Sequence, residues 1–182
     1  MPRPPPPFLW RCATGGHQPW RGWAPPIRAR IQGPNWPPIG GDPTNIHISG
    51  YNGANLPTWL ASNVSVKMLR ILHLEKCREW QILHLQMLPF LRKLKLIRMW
   101  KLTEISIPSL EELILIEMPR LEKCLGTYGK ELTSELRVII IKGCPQLNEF
   151  TPFQSYSSFH AEQQSWFPFL SKLVICYCPH IM

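Results

Sequence analysis

One apolar phrase returns five times along this chain, and it restricts the possible fold more than any other feature. It reads LRILHLEKC from Leu69, LRKLKLIRM from Leu91, LEELILIEM from Leu110, LRVIIIKGC from Leu136 and LSKLVICYC from Leu170. Each copy fits LxxLxLxx(C/M), and three places further on each adds another apolar residue: Trp80, Leu102, Leu121, Leu147 and Ile181. Successive first leucines stand 22, 19, 26 and 34 residues apart. An earlier copy begins near Ile46 in NIHISGY, with Ile46, Ile48 and Tyr51 in the later apolar places and Pro43 where the first leucine would stand.

The spacing has a direct physical reading. In the LxL segment the two apolar residues are two apart, so they point to one side of a short strand while their neighbours point to the other. A single unit cannot cover its own apolar side, and copies must therefore stack, each shielding the next. Repeats of this length and pattern predict an irregular leucine-rich-repeat solenoid of the α/β class, with five or six units. Short parallel strands are expected on one side, and loops or single helical turns on the other.

Proline and cysteine punctuate the units. MPRL at Met118, CPQL at Cys144 and CPHI at Cys178 put proline directly after the residue that leaves the strand, where a missing N–H does no harm and further pairing stops. The sulfur residue at the ninth place suits the inside of that turn. Cys77, Cys144 and Cys178 are accordingly expected to be structural, reduced, and far apart along the stack.

Composition divides the chain. Residues 1–43 carry 12 of the 20 prolines, four of the eight tryptophans and five arginines against one acid, Asp42. No strand or helix period survives there, and a disordered Pro/Arg/Trp-rich tail is expected, followed by a repeat domain over 44–182. The remainder has apolar material for a core, with 45% hydrophobic and 18% charged residues over the whole chain. FLW near the start is too short for a targeting core, and no run of about 18 apolar residues could span a bilayer. TPFQSYSSFHAEQQSW, between Phe150 and Phe167, is expected to be a loop inserted between units.

ISGYNGANLPTWL, LRILHLEKC, PSLEELILIEMPRLEKC and LRVIIIKGCPQLNEFTPF together resemble the C-terminal repeats of plant intracellular immune receptors, the nucleotide-binding leucine-rich-repeat disease resistance proteins, especially those of grasses. The likeness covers roughly residues 44–182. It implies a cytoplasmic, non-enzymatic recognition or autoinhibitory module of a defence receptor. Its implied partners are proteins: a pathogen effector, a host guard protein, or the receptor's own nucleotide-switch domain. The phosphate-binding GxxxxGK[ST] loop of that domain is not in this sequence, so no nucleotide or other cofactor is expected. The chain reads as a detached end of such a receptor; alternatively it is a truncated or pseudogene-like fragment with no recognition activity of its own.

In a solenoid of this kind the strand residues that face away from the core form the concave binding surface. That reading selects His73 and Glu75; Lys93, Lys95 and Arg98; Glu112, Ile114 and Ile116; Ile140 and Lys142; and Lys172, Val174 and Tyr177. Lys93, Lys95 and Arg98 are placed to meet Glu112 and Glu117 across neighbouring strands, leaving two alternatives: a mutually satisfied solvated face, or recognition of an acidic partner.

Other chemistries find little support. Cys176, Cys178 and His180 form C-x-C-x-H, but the repeat ends the strand between the cysteines and no second ligand pair is visible, so no metal is expected. His47, His73, His84, His160 and His180 are scattered and sit in no catalytic motif, and an enzyme is not expected. Five arginines dispersed over 43 residues make a weak footprint for nucleic acid.

Overall fold

The structure is a computed structural model and describes residues 28–29, 44–53, 68–126, 135–150 and 169–181. The expected tail and the inserted loop after Phe150 lie outside these residues, apart from Arg28 and Ala29.

Five of the strands are the five LxL phrases: β3 (Ile71–Glu75), β5 (Lys93–Ile97), β7 (Glu112–Ile116), β9 (Val138–Lys142) and β11 (Lys172–Cys176). The earlier copy supplies β2 (Asn45–Ser49), and β1 (Arg28–Ala29) pairs beside it. All seven form one parallel sheet in the order β1-β2-β3-β5-β7-β9-β11, with the even-numbered strands after β2 left to a different layer. Pairing is in phase from unit to unit. Ile46, Leu72, Leu94, Leu113, Ile139 and Leu173 make one continuous inward row, and Ile48, Leu74, Leu96, Leu115, Ile141 and Ile175 make the next. Register is fixed because a slip of one residue would carry every aliphatic side chain to the other face.

The opposite side holds a second parallel sheet among the described residues, in place of the loops or helical turns expected there. Its strands are β4 (Ile82–His84), β6 (Glu104–Ile107), β8 (Lys123–Gly126) and β10 (Glu149–Phe150), in the order β10-β8-β6-β4. Each begins at the fourteenth place of its unit. Leu83, Ile105, Cys124 and Phe150 then form a buried row facing the first sheet. Short stretches such as EIS and KCL carry too few residues to announce a strand alone. They pair because the first sheet has already stacked the units side by side.

Between the sheets lies a single core that takes in the leucine rows, the ninth-place sulfur residues and Trp80. Parallel strands covered on both sides are the expected outcome, since neither sheet alone hides its apolar face. The last unit is less covered: Leu173, Ile175 and Ile181 are only half-buried against the core.

Two turns per unit make this geometry possible. At the eighth place the backbone enters the left-handed region in all six units: Gly50, Lys76, Arg98, Glu117, Gly143 and Tyr177 have φ between 54 and 70°. Five of these residues then donate their N–H to the seventh-place carbonyl of the next unit, as in Lys76 to Ile97 (2.9 Å) and Glu117 to Lys142 (2.8 Å). The strand thus makes one more ladder bond while it bends inward. The ninth to twelfth places follow as a β-turn, closed by Leu102 N–H to Met99 C=O, Leu121 to Met118 and Leu147 to Cys144. Pro119 and Pro145 occupy the second turn position, which a fixed φ favours.

Ninth-place cysteines have their own reason. Each thiol donates back to the carbonyl two residues earlier: Cys77 to Glu75 (3.6 Å), Cys144 to Lys142 (3.7 Å) and Cys178 to Cys176 (3.2 Å). The expectation that the three stand far apart holds for Cys77 but not for the other two. Units four and five are neighbours in space although the chain between them is long, and this brings the Cys144 and Cys178 thiols together. That contact raises Cys144 and, with burial opposing it, lowers Cys178 to about 7. Cys77, Cys144 and Cys178 are free thiols, as the repeat leads one to expect, and so is Cys124, whereas Cys176 is disulfide-bonded.

Candidate functional site

The face of the first sheet turned away from the core is built from the third, fifth and seventh places of each unit. In-register pairing stacks like place on like place, giving three rows. Asn45, Ile71, Lys93, Glu112, Val138 and Lys172 form the first. His47, His73, Lys95, Ile114, Ile140 and Val174 form the middle row, and Ser49, Glu75, Ile97, Ile116, Lys142 and Cys176 the third. Arg98 and Tyr177 stand beyond the third row at the left-handed turn.

All thirteen candidate residues therefore lie on one side of the sheet or at its turn edge, but they are not equally open. Glu75, Lys93, Lys95, Arg98, Glu112, Ile116, Lys142 and Lys172 are half-buried, and Tyr177 is 75% exposed. His73, Ile114, Ile140 and Val174 are buried, which corrects the expectation that they face solvent. All four belong to the middle row, where strands about 4.8 Å apart set side chains flank to flank with a further row on either side. Ile114, Ile140, Val174 and Cys176 form a second apolar cluster, with Ile116 and Val138 packed against it. It is separate from the core.

Charges line the neighbouring strands. Lys93 Nζ meets Glu112 Oε1 at 2.7 Å, and Arg98 Nε meets Glu117 Oε2 at 2.6 Å. The Glu117 hydrogen bond and charge hold the Arg98 guanidinium above its ordinary pKa. Lys95 has no acidic register partner, since Ile114 stands opposite it. Burial pulls its ammonium down from the usual lysine value, and the Glu75 carboxylate partly restores it.

At the other end of the middle row, sequence reasoning missed a juxtaposition. His47 and His73 are register partners, and their rings stack at 4.0 Å between centroids, only 3° from parallel. Glu75, two residues beyond His73 on the same face, brings Oε2 to 3.9 Å from His47 Nε2. One donor atom from each of the three lies within 4.8 Å of the other two. Burial foremost, then the nearby His47 and the Lys95 ammonium, push His73 down to about 3, so its imidazole is neutral at ordinary pH. The signal was in the sequence: once NIHISGY is aligned as a unit, histidine occupies the fifth place in two successive copies. Read along the chain instead, the histidines look scattered.

Cys176 and Cys178 are drawn apart, the first into the outer-face cluster and the second into the core. The C-x-C-x-H run does not converge.

Two in-phase ladders, a shared core and a single outward face define a leucine-rich-repeat solenoid, a protein-interaction repeat fold. Residues 43–99, which cover the units whose first places are Pro43 and Leu69 and the first nine places of the unit from Leu91, match the family model of R13L1/DRL21 leucine-rich repeats. That stretch is thus similar to the repeats of plant resistance-type proteins. No curated protein and no solved structure matches the chain. No helix among the described residues is long and apolar enough to cross a membrane.

Proposed function

We propose that this repeat array is the recognition or autoinhibitory surface of a cytoplasmic plant immune receptor, and that it contacts its protein partner through the outward face of the first sheet. The observation that carries this reading is the contrast between the two sides of the same strands. Inward places repeat one chemistry in every unit, while outward places change from histidine to lysine to isoleucine along a single row. Packing demands the first; nothing in the packing of the core demands the second. Lys93, Lys95, Arg98 and Tyr177 supply the charged and aromatic rim, and the Ile114 to Val174 stretch supplies an apolar centre, a division common to protein interfaces.

Lysine-reactivity footprinting tests it, with the nucleotide-switch domain of a plant resistance receptor as the partner. Protection is expected at Lys93, Lys95, Lys142 and Lys172 and not at Lys101 or Lys123, which belong to a turn and to the second sheet. Protection confined to Lys101 and Lys123 would place the contact on the wrong side. No protection anywhere would favour a fragment without recognition activity of its own.

A further inference from the structure

We infer that His47, His73 and Glu75 form a binding site for a divalent late first-row transition-metal ion, with zinc or cobalt as its simplest occupants. Two imidazole nitrogens and one carboxylate oxygen are the donor set such ions prefer, and three protein ligands leave a fourth position open. The fold brings them together without a dedicated loop. In-phase pairing sets His47 beside His73, and the alternation of a strand returns Glu75 to the same face two residues later.

The distances suit capture by small side-chain movements. Metal–nitrogen and metal–oxygen bonds of about 2.0–2.2 Å put tetrahedral ligand atoms roughly 3.4 Å apart. Here the three donor atoms are already within 4.8 Å, with His47 and Glu75 at 3.9 Å. The two rings stack 3° from parallel with centroids 4.0 Å apart, so a nitrogen of each already lies near the other, and side-chain rotation is what would turn both onto one ion.

Lys95 opposes the ion. It is the register partner of His73 on the far side from His47, and its ammonium interacts with Glu75. Lys76 Nζ also lies 3.2 Å from Glu75 Oε1. A bound cation would take over a carboxylate that otherwise serves these two lysines, and removing the Lys95 charge should make capture easier.

The full 182-residue chain is titrated with Co²⁺ and Zn²⁺ at neutral pH, following cobalt by its visible spectrum and zinc by competition with a chromogenic chelator. One equivalent is expected to bind, with cobalt d–d bands and no thiolate-to-cobalt charge transfer. H73Q should weaken zinc binding by more than about 100-fold, beyond what loss of an outer-shell group does. E75Q should weaken it by about tenfold, a loss in the range seen when even an outer-shell group is removed. K95M should tighten it by about three- to tenfold through loss of a like charge. If H73Q does not fold, E75Q and K95M decide, because both leave the histidine pair in place. No uptake by the wild-type chain, a thiolate charge-transfer band at the first equivalent, or identical affinity in wild type, E75Q and K95M would each overturn the assignment.

Discussion

Ile139 and Ile140 are consecutive residues of the same strand, chemically identical and almost equally buried, yet they answer to different neighbours. Ile139 joins a row that is leucine or isoleucine in all six units and sits between two sheets. Ile140 joins a row that begins with two histidines and a lysine and becomes aliphatic only from Ile114 onward. The inward row is a condition of stacking, because each side chain is the floor on which the next unit rests. The outward row is free to vary, and where it has become apolar it forms a cluster one layer thick.

The largest effect that can break this comparison is a cavity in the inward row. Leu113→Ala, fully buried at the centre of the stack, should destabilise the chain by about 3–5 kcal/mol, read from its urea unfolding midpoint. Ile140→Ala on the other face should cost less than half as much, roughly 1–2 kcal/mol, since the sheet's own backbone lies beneath it and only one layer of side chains surrounds it. Equal costs for the two would mean that the outer cluster is a second core.

This asymmetry also explains what the sequence made legible. The inward rows could be read directly because the same residue type returned at the same place: Leu72, Leu94, Leu113, Ile139 and Leu173 were all identifiable from spacing. The second sheet could not, since its inward row is Leu83, Ile105, Cys124 and Phe150, four side chains that share burial but no common type. The left-handed eighth place was hidden for a similar reason. Glycine, the usual marker of positive φ, occupies it only in two of six units; Lys76, Arg98 and Glu117 adopt it under the pull of the ladder bond that follows, and Tyr177 adopts it in the last unit of the described sheet. For the candidate site, spacing identified the correct face but not the burial of its middle row, which depends on side chains from three adjacent strands at once.

That eighth place offers a smaller and more pointed pair of tests. A Cβ on Gly143 would meet Glu117 Cα at 3.5 Å, an ordinary contact, so Gly143→Ala should suffer from its φ of 66° alone. The left-handed conformation costs an alanine about 1–2 kcal/mol, partly offset by a stiffer unfolded chain, leaving a loss of about 1 kcal/mol in thermal or urea denaturation. Tyr177→Gly should act in the opposite sense by up to about 1 kcal/mol, because the tyrosine holds a φ of 55° and is largely exposed. Two shifts of the same sign would show that φ does not govern this position.

The smallest effect belongs to the charged part of the outer face. Lys93 and Glu112 are register partners at 2.7 Å on half-buried positions, an arrangement that contributes about 0.2–1 kcal/mol when measured by a double-mutant cycle. Lys93→Ala, Glu112→Ala and the double variant should therefore give a coupling in that range, and it should shrink as salt is raised, because both groups remain in reach of water. An inward pair such as Leu94 and Leu113, taken through the same cycle, should show coupling that salt does not touch, since dispersion and the removal of apolar surface from water carry it. A salt-insensitive Lys93–Glu112 coupling above about 2 kcal/mol would mean that the outward face is as rigidly specified as the inward one. The difference between the two faces would then be one of composition alone, and variability along the outward rows would no longer argue for a surface open to recognition.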